Sequence, residues 1–577
     1  MEKMLTCKEA AELWNFTERW VSIMCKEGKI PGAVKQGHRW MLPADSKKPA
    51  DNRIKSGVYR KEGGPSSLPL PVGVSDFKRA CTEYYFADKT VFIKEFLDQK
   101  PPVSLLLRPA RFGKSLMLDM LRVFFEKTDE DTSRYFLSKR IWNCGESYRR
   151  HQGIYPVISL SFRDFSFDTW DKALKKFSDL MQREYARHRV LYSSEKLSAY
   201  DKGTYGMIAE GIGDEIGLTS SLFNLSKMLH EHYGTEAVIM IDDYDIPFRQ
   251  SRLYGYSDQL VFFLKNLFST AFKDNPHLAF GILCGTHKYP AEVIFHDITA
   301  PRVFSMMDSS FRSVFGFSQD ELLQMAAYTG VQVDADSLMD WYGGYRDGVD
   351  VLMNPWSVVS CMANGGKIQP YWTNTGAAKI LHSLFESNIY GSMEHLRSLL
   401  MGQSVRTQIE PDNADPDNPK TLAEIYGLLI NEGFLQIAGE EIRPNGVILY
   451  DVEFPNTEVS LFCRKELLNY FQEQQTIASA PALQLQDALY ARSAPRFQQA
   501  LKQLLYQSIR NHTESNEEYY QSLFTGLMML TEECYTVTDS GAAGENYEIH
   551  MMPKIELMPE VKIEIKAGKT VKLLYSK

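Results

Sequence analysis

The sequence predicts a multidomain α/β protein, and three observations carry that reading. The chain has 577 residues, more than one hydrophobic core organises, so three or four domains are expected. From residue 72 to about 330, short apolar runs of strand type alternate with amphipathic helical stretches, the pattern of layered helices and strands. Residues 1–61 carry an excess of Lys and Arg in a chain of net charge −9, and "EGGPSSLPLP" (62–71), rich in Gly, Pro and Ser, sets them off as a linker would.

The bulk numbers exclude several classes. Hydrophobic residues make up 44% and charged residues 24%, which argues for globular rather than disordered chain. The eight cysteines are scattered, with no C-x-x-C pair and no zinc spacing, as expected of free thiols in a reducing cytoplasm. The sequence has no apolar run long enough to span a bilayer and no signal-peptide core, so a cytoplasmic, bacterial-type protein without membrane contact is expected. With a net negative charge, any nucleic-acid contact has to come from a local patch.

The first unit (1–61) supplies such a patch. Thr6 followed by Glu9 forms a capping box ahead of one short helix. A second helix follows Thr17 and ends near Gly28, and "IPGAVKQGHRWML" reads as two short strands around Gln36-Gly37. Two short helices and a wing make a winged helix-turn-helix. Its second helix would offer Thr17, Glu18, Arg19 and Ser22 to the DNA major groove, with Lys35, His38 and Arg39 on the wing facing phosphates. A small domain that docks protein is the plainer alternative. Over about 45 residues the stretch resembles the excisionase-like (MerR-type) helix-turn-helix family, which implies DNA as partner.

In the second region (72–330) the clearest strands are "VSLLL" (103–107), "YPVISLSF" (155–162), "AVIMIDD" (237–243) and "LAFGILCG" (278–285). The first runs into Gly113-Lys114-Ser115, followed by the amphipathic "KSLMLDMLRVFFE". A phosphate-binding loop needs a buried strand to deliver it, a helix N-terminus facing the phosphates, and a Lys and a hydroxyl to reach the terminal phosphates and Mg²⁺. All are present, although Arg108 stands where the first glycine of G-x-x-x-x-G-K-[ST] belongs. The third strand ends in Asp242-Asp243, carboxylates placed to hold the water shell of Mg²⁺ and to polarise an attacking water.

The run Arg108-Pro109-Ala110-Arg111-Phe112-Gly113-Lys114-Ser115 resembles the AAA-ATPase-like family, whose loop has the form R-P-x-R-F-G-K-[ST] and which is usually fused to a C-terminal PD-(D/E)XK nuclease-like domain. Blocks such as "YYFADKT", "MIDDYDIPF", "WYGGYRDG", "NPWSV", "YWTNTG", "GLLINEGFL" and "FPNTEVSLF" extend the resemblance over about 80–465. It implies a P-loop NTPase domain over 72–330 with ATP and Mg²⁺ as cofactors. Nucleotide would lie on Arg108, Arg111, Gly113, Lys114, Ser115 and Asp242, and Asp243 would act in catalysis. Two departures bear on turnover: the family has Asp-Glu where Asp242-Asp243 stands, and it tends to have Arg where "CGTHKYP" carries Lys288 beside His287.

Residues 331–510 read as a mostly helical extension, with a strand-like break at "IRPNGVILYDVEF". Residues 511–577 read as helix and three strands. The resemblance makes the last stretch an incomplete restriction-endonuclease-like α/β domain. Glu548 and Glu564 would bind Mg²⁺, Lys566 would serve the attacking water, and Glu517 would be an auxiliary acid. Three functions follow: an ATP-binding, DNA-associated ATPase-like protein with a degenerate nuclease part; a DNA-binding regulator whose ATPase and nuclease parts are silent; or a Mg²⁺-dependent nuclease acting in defence against foreign DNA. Each leaves the oligomeric state open.

Overall fold

The computed structural model describes residues 4–14, 18–26, 30, 32–36, 39–43 and 46. It also describes 68–577 apart from 297, 299, 309, 312, 348–349, 373–380, 382–391, 411–413, 474–478, 511–516, 532–533, 541–545, 567–569 and 577. The chain divides into two compact units, Met1–Ser67 and Leu68–Lys577.

In the first unit, β1 (Met4–Thr6) leads into the helix Cys7–Trp14, followed by the helix Glu18–Lys26 and the strands β2 (Val34–Gln36) and β3 (Arg39–Pro43). The capping box forms: Thr6 donates to Glu9 Oε2 through both N and Oγ1 at 2.8 Å, and Glu9 N donates to Thr6 Oγ1 at 3.3 Å. Ala10, Ala11, Val21, Cys25, Ile30 and Leu42 close a small core. The sheet is antiparallel, ordered β1-β3-β2, so the expected wing gains a third strand from the N-terminus.

The second unit is built on a five-stranded parallel sheet of β4 (Val103–Leu107), β5 (Val157–Ser161), β6 (Ala237–Asp242), β7 (Leu278–Gly285) and β8 (Arg302–Phe304), ordered β5-β6-β7-β4-β8. The four strands read from sequence are there; β8 is additional. Side chains alternate between two cores: Leu105, Leu107, Ile158, Ile239 and Ile241 pack on one face, and Leu106, Val157, Val238, Met240 and Ile282 on the other. A sheet covered on both faces needs continuous apolar strands, which is why these runs lack polar alternation.

Helices Gln319–Thr329, Ala335–Tyr342 and Pro355–Ala363 form a satellite core with Leu70 and Phe317. A short hairpin, β9 (Tyr345–Asp347) and β10 (Asp350–Leu352), separates the last two of these helices. Next comes a three-stranded sheet, β11 (Val405–Thr407), β12 (Gln436–Ile442) and β13 (Ile448–Glu453), ordered β11-β13-β12. The chain finishes with the helix Glu517–Thr531 and an antiparallel meander of β14 (Tyr535–Ser540), β15 (Asn546–Pro553), β16 (Glu560–Lys566) and β17 (Thr570–Ser576). Four strands stand where the sequence reads as three. One continuous core joins this meander to the helices and strands before it, and Phe112 of the loop after β4 belongs to that same core.

Candidate functional site

Both loops of the site leave the C-terminal ends of parallel strands, where open α/β sheets bind ligands. β4 and β6 are not neighbours; β7 lies between them. The loop Arg108–Gly113 turns with Arg111 at φ 65 and Gly113 at φ 85, both left-handed. Gly113 caps the helix Lys114–Phe125. A Cβ added at Gly113 would meet nothing within 4 Å, so the glycine serves backbone conformation and leaves the loop's mouth clear.

Lys114 is buried, and its Nζ donates to Arg108 O at 2.8 Å, Pro109 O at 3.0 Å and Thr286 Oγ1 at 3.4 Å. This keeps the ammonium under the loop. Across from it Asp242 ends β6, buried, and its Oδ1 accepts no hydrogen bond. A buried carboxylate oxygen left unbonded is costly unless a ligand completes it. Ser115 Oγ and Asp242 form an all-oxygen donor set that suits Mg²⁺ arriving with nucleotide phosphates, so the residues fit the metal.

Asp243 follows with φ 54, a strained conformation for a non-glycine residue. Burial, then the neighbouring charge of Asp242, pushes its carboxyl up to about 6, while Lys114 and Arg163 pull the other way. Asp245, the third acid of "IDDYD", is not free for chemistry: its Oδ2 accepts from the backbone N–H of Thr286 at 3.0 Å and of His287 at 3.1 Å, which pins the end of β7.

The loop opens on a cavity of about 520 Å³, a usual size for a small-molecule site. Its wall includes the polar Lys114, Ser115, Asp243, Thr286 and Arg249 and the apolar Val72, Phe86, Phe317 and Val359. One wall comes from far along the chain. His287 Nε2 meets Glu432 Oε1 at 2.9 Å, and both line the cavity. Burial works against the imidazolium, but the hydrogen bond and charge of Glu432 outweigh it, so the His287 pKa is raised.

The outer side of the loop is clasped as well. Trp372 Nε1 donates to Ala110 O at 3.0 Å, Arg111 lies over the Trp356 ring at 4.5 Å, and Phe112 packs edge-on to Tyr345 at 5.1 Å. Tyr345 of "WYGGYRDG", Trp356 of "NPWSV" and Trp372 of "YWTNTG" therefore build a socket for the loop Arg108–Gly113. Glu458 locks that socket, accepting from Ser357 Oγ at 2.6 Å and Trp372 N at 2.6 Å.

Two expected roles change. Arg108 is fully buried and does not line the cavity; its guanidinium donates to Leu107 O at 2.7 Å and Phe304 O at 2.8 Å and lies 4.7 Å from the Phe315 ring. It ties β4 to β8 rather than facing phosphates. Lys288 pairs with Glu292 at 2.8 Å on its own helix and is likewise absent from the cavity wall. Sequence reasoning missed Arg163, Thr286, Trp356 and Glu432, although "CGTHKYP" and "GLLINEGFL" contain two of them.

At the other end of the chain, Glu548 and Glu564 face each other directly across β15 and β16. Lys562 Nζ bridges them at 2.9 Å and 3.4 Å, and His550 lies 3.5 Å from Glu548. The hydrogen bond from Lys562 holds the Glu548 carboxyl below its ordinary value. Lys566 ends β16 and Glu517 opens the last helix; their side chains lie outside the described residues. In the first unit, Arg19 and Ser22 lie on the helix Glu18–Lys26, Lys35 is exposed on β2 and Arg39 opens β3. Thr17 and His38 lie outside the described residues.

A parallel sheet with a phosphate loop after one strand and paired acids after another is consistent with a P-loop NTPase core. Residues 71–295 match the family model described as "Predicted AAA-ATPase". Among curated proteins, the chain is similar to one from Azotobacter chroococcum mcd 1 described as "Uncharacterized protein in vnfD 5'region", 23% identical over 469 residues, covering 80% of this chain and 82% of that protein. Among the described residues no helix is long and apolar enough to cross a membrane.

Proposed function

We propose that this protein binds and slowly hydrolyses ATP with Mg²⁺ at the loop Arg108–Ser115, and that its N-terminal unit reads DNA. The observation that carries the reading is the buried Asp242 Oδ1 left without a hydrogen-bond partner, next in the chain to Asp243, which lines the cavity together with Lys114 and Ser115. Lys114 and the helix N-terminus hold the phosphates, the apolar lining residues take the base, and Ser115 with Asp242 holds the metal. Bound Mg²⁺ neutralises charge on the phosphates. Asp243, with its carboxyl raised to about 6 and still ionised near pH 7, takes the proton of an attacking water. Arg111, exposed and lining the cavity with its guanidinium over the Trp356 ring, adds positive charge near the phosphates.

DNA contact through Thr17, Arg19, Ser22, Lys35, His38 and Arg39 rests on the helix-turn-helix arrangement of the first unit. Phosphate release by the full chain, with and without duplex DNA and beside Lys114→Ala, tests both parts. Turnover that depends on Lys114 supports the ATPase; unchanged turnover in the variant removes it. A gel shift lost when residues 1–67 are deleted supports the DNA reader.

A DNA-binding regulator with silent catalysis is the second reading. The short arm of Asp243 and the Arg163 guanidinium lying over the metal donors favour it. The nuclease reading gains no such support, because Lys562 spans both carboxylates it needs.

A further inference from the structure

Arg163 stands just past β5, and its guanidinium meets three side chains at once. NH2 donates to Ser115 Oγ at 2.6 Å and lies 3.6 Å from Asp242 Oδ2, while Nε lies 3.5 Å from Asp243 Oδ2. These are the hydroxyl and the two carboxylates assigned above to the metal and the attacking water. We propose that Arg163 is the resident cation of the nucleotide-free metal site, standing between Ser115 and Asp242 until Mg²⁺ displaces it. The inference rests on the nucleotide reading of the same site.

The fit explains why the guanidinium is a placeholder and not a permanent strut. Two adjacent, largely buried carboxylates need a nearby positive charge. Arg163 supplies it incompletely. Both its carboxylate contacts exceed hydrogen-bond length, and Asp242 Oδ1 stays buried without a partner. A planar fork cannot enter where a compact ion with ligand bonds of about 2.1 Å can. Compare Arg187, whose guanidinium bonds Glu126, Glu184 and Val157 O in a closed network.

Arg163 is also free to leave. Its side chain is 51% exposed, and it lines two cavities: the nucleotide cavity and a second of about 580 Å³ whose wall mixes Asp76, Asp119 and Asp164 with Arg122, Lys176 and Arg183. The displaced guanidinium thus has an open space of mixed charge to enter, next to the metal donors. A direct consequence is that metal alone binds poorly, because it competes with an attached cation. Metal and nucleotide together bind well, because the phosphates complete the ion's shell.

Mn²⁺ is the probe, with free ion counted by electron paramagnetic resonance on the full chain without nucleotide. Wild type is expected to bind it weakly. Arg163→Gln, which removes a charge some 4 Å from the donors, is expected to bind about tenfold tighter. Arg163→Lys should stay near wild type, and adding Asp242→Asn to Arg163→Gln should abolish the gain. Equal or weaker Mn²⁺ binding in Arg163→Gln, or a gain that survives Asp242→Asn, overturns the proposal. Should Arg163→Gln fold poorly by circular dichroism, Arg163→Ala provides the same comparison. Unchanged Mn²⁺ affinity in a variant that still binds ATP–Mg²⁺ removes this inference alone; failure of wild type to bind ATP–Mg²⁺ removes the site reading beneath it.

Discussion

The acid pairs Asp242-Asp243, at the end of β6, and Glu548–Glu564, across β15 and β16, treat charge in opposite ways. At β6, Asp242 is buried with one oxygen unbonded, and Asp243, whose carboxyl is raised to about 6, lines a cavity. On β15 and β16, Glu548 and Glu564 lie on a half-exposed sheet face and share Lys562. The first arrangement costs stability and is expected where a ligand completes it; the second satisfies itself. An acid pair marks a site when the fold leaves its charge uncompensated, and sequence spacing alone does not distinguish the two cases.

The contrast is open to being broken, and the sharpest attempt is at Asp243. Asp243→Asn should cut phosphate release by about 10²- to 10⁴-fold, the usual worth of a general base, with ATP affinity changed far less. Equal turnover would make Asp243 a mere strand end like Glu564.

Phe112→Ala comes next. Phe112 is 2% exposed and roots the loop in the C-terminal core. The loss should be about 3–5 kcal/mol in urea unfolding, with weakened ATP binding as the loop loses its socket.

A compensated buried acid should respond to pH instead. Glu184 is held down at about 2: burial opposes its charge, but hydrogen bonds from His188 and Arg187 prevail. Its folded value is below the unfolded one, so its stabilisation is present above about pH 4.5 and is lost as pH falls toward 2, a contribution of about 3 kcal/mol. Glu184→Gln should therefore flatten the acid limb of a stability–pH curve. The smallest effect belongs to the C-terminal face. Glu548→Gln with Glu564→Gln should leave the unfolding midpoint and ATP binding essentially unchanged, because an exposed ion pair is screened by solvent.

Much of the sheet was legible because a doubly covered strand is an unbroken apolar run, as in "VSLLL" and "AVIMID". The loop and the Asp242-Asp243 pair were legible because each function there occupies consecutive residues. The socket was not. Trp372 reaches Ala110 across 262 positions, and Glu432 reaches His287 from a different core; contacts of that span leave no periodicity to read. Arg108 was misread because a motif position specifies a residue's place in the loop and not where its side chain turns. It turned inward, to β8, a strand too short to announce itself in the sequence. Arg163 was silent for a related reason: its meaning lies in Ser115 and Asp242, which no spacing connects to it.

ATP affinity of the full chain at fixed Mg²⁺, wild type against Lys114→Ala, tests the central claim most directly. Lys114 carries the charge nearest the loop's backbone, so the variant should lose about 100-fold or more in affinity, equivalent to roughly 3 kcal/mol, while circular dichroism shows it folded. ATP bound equally by both proteins, or by neither, would contradict the account.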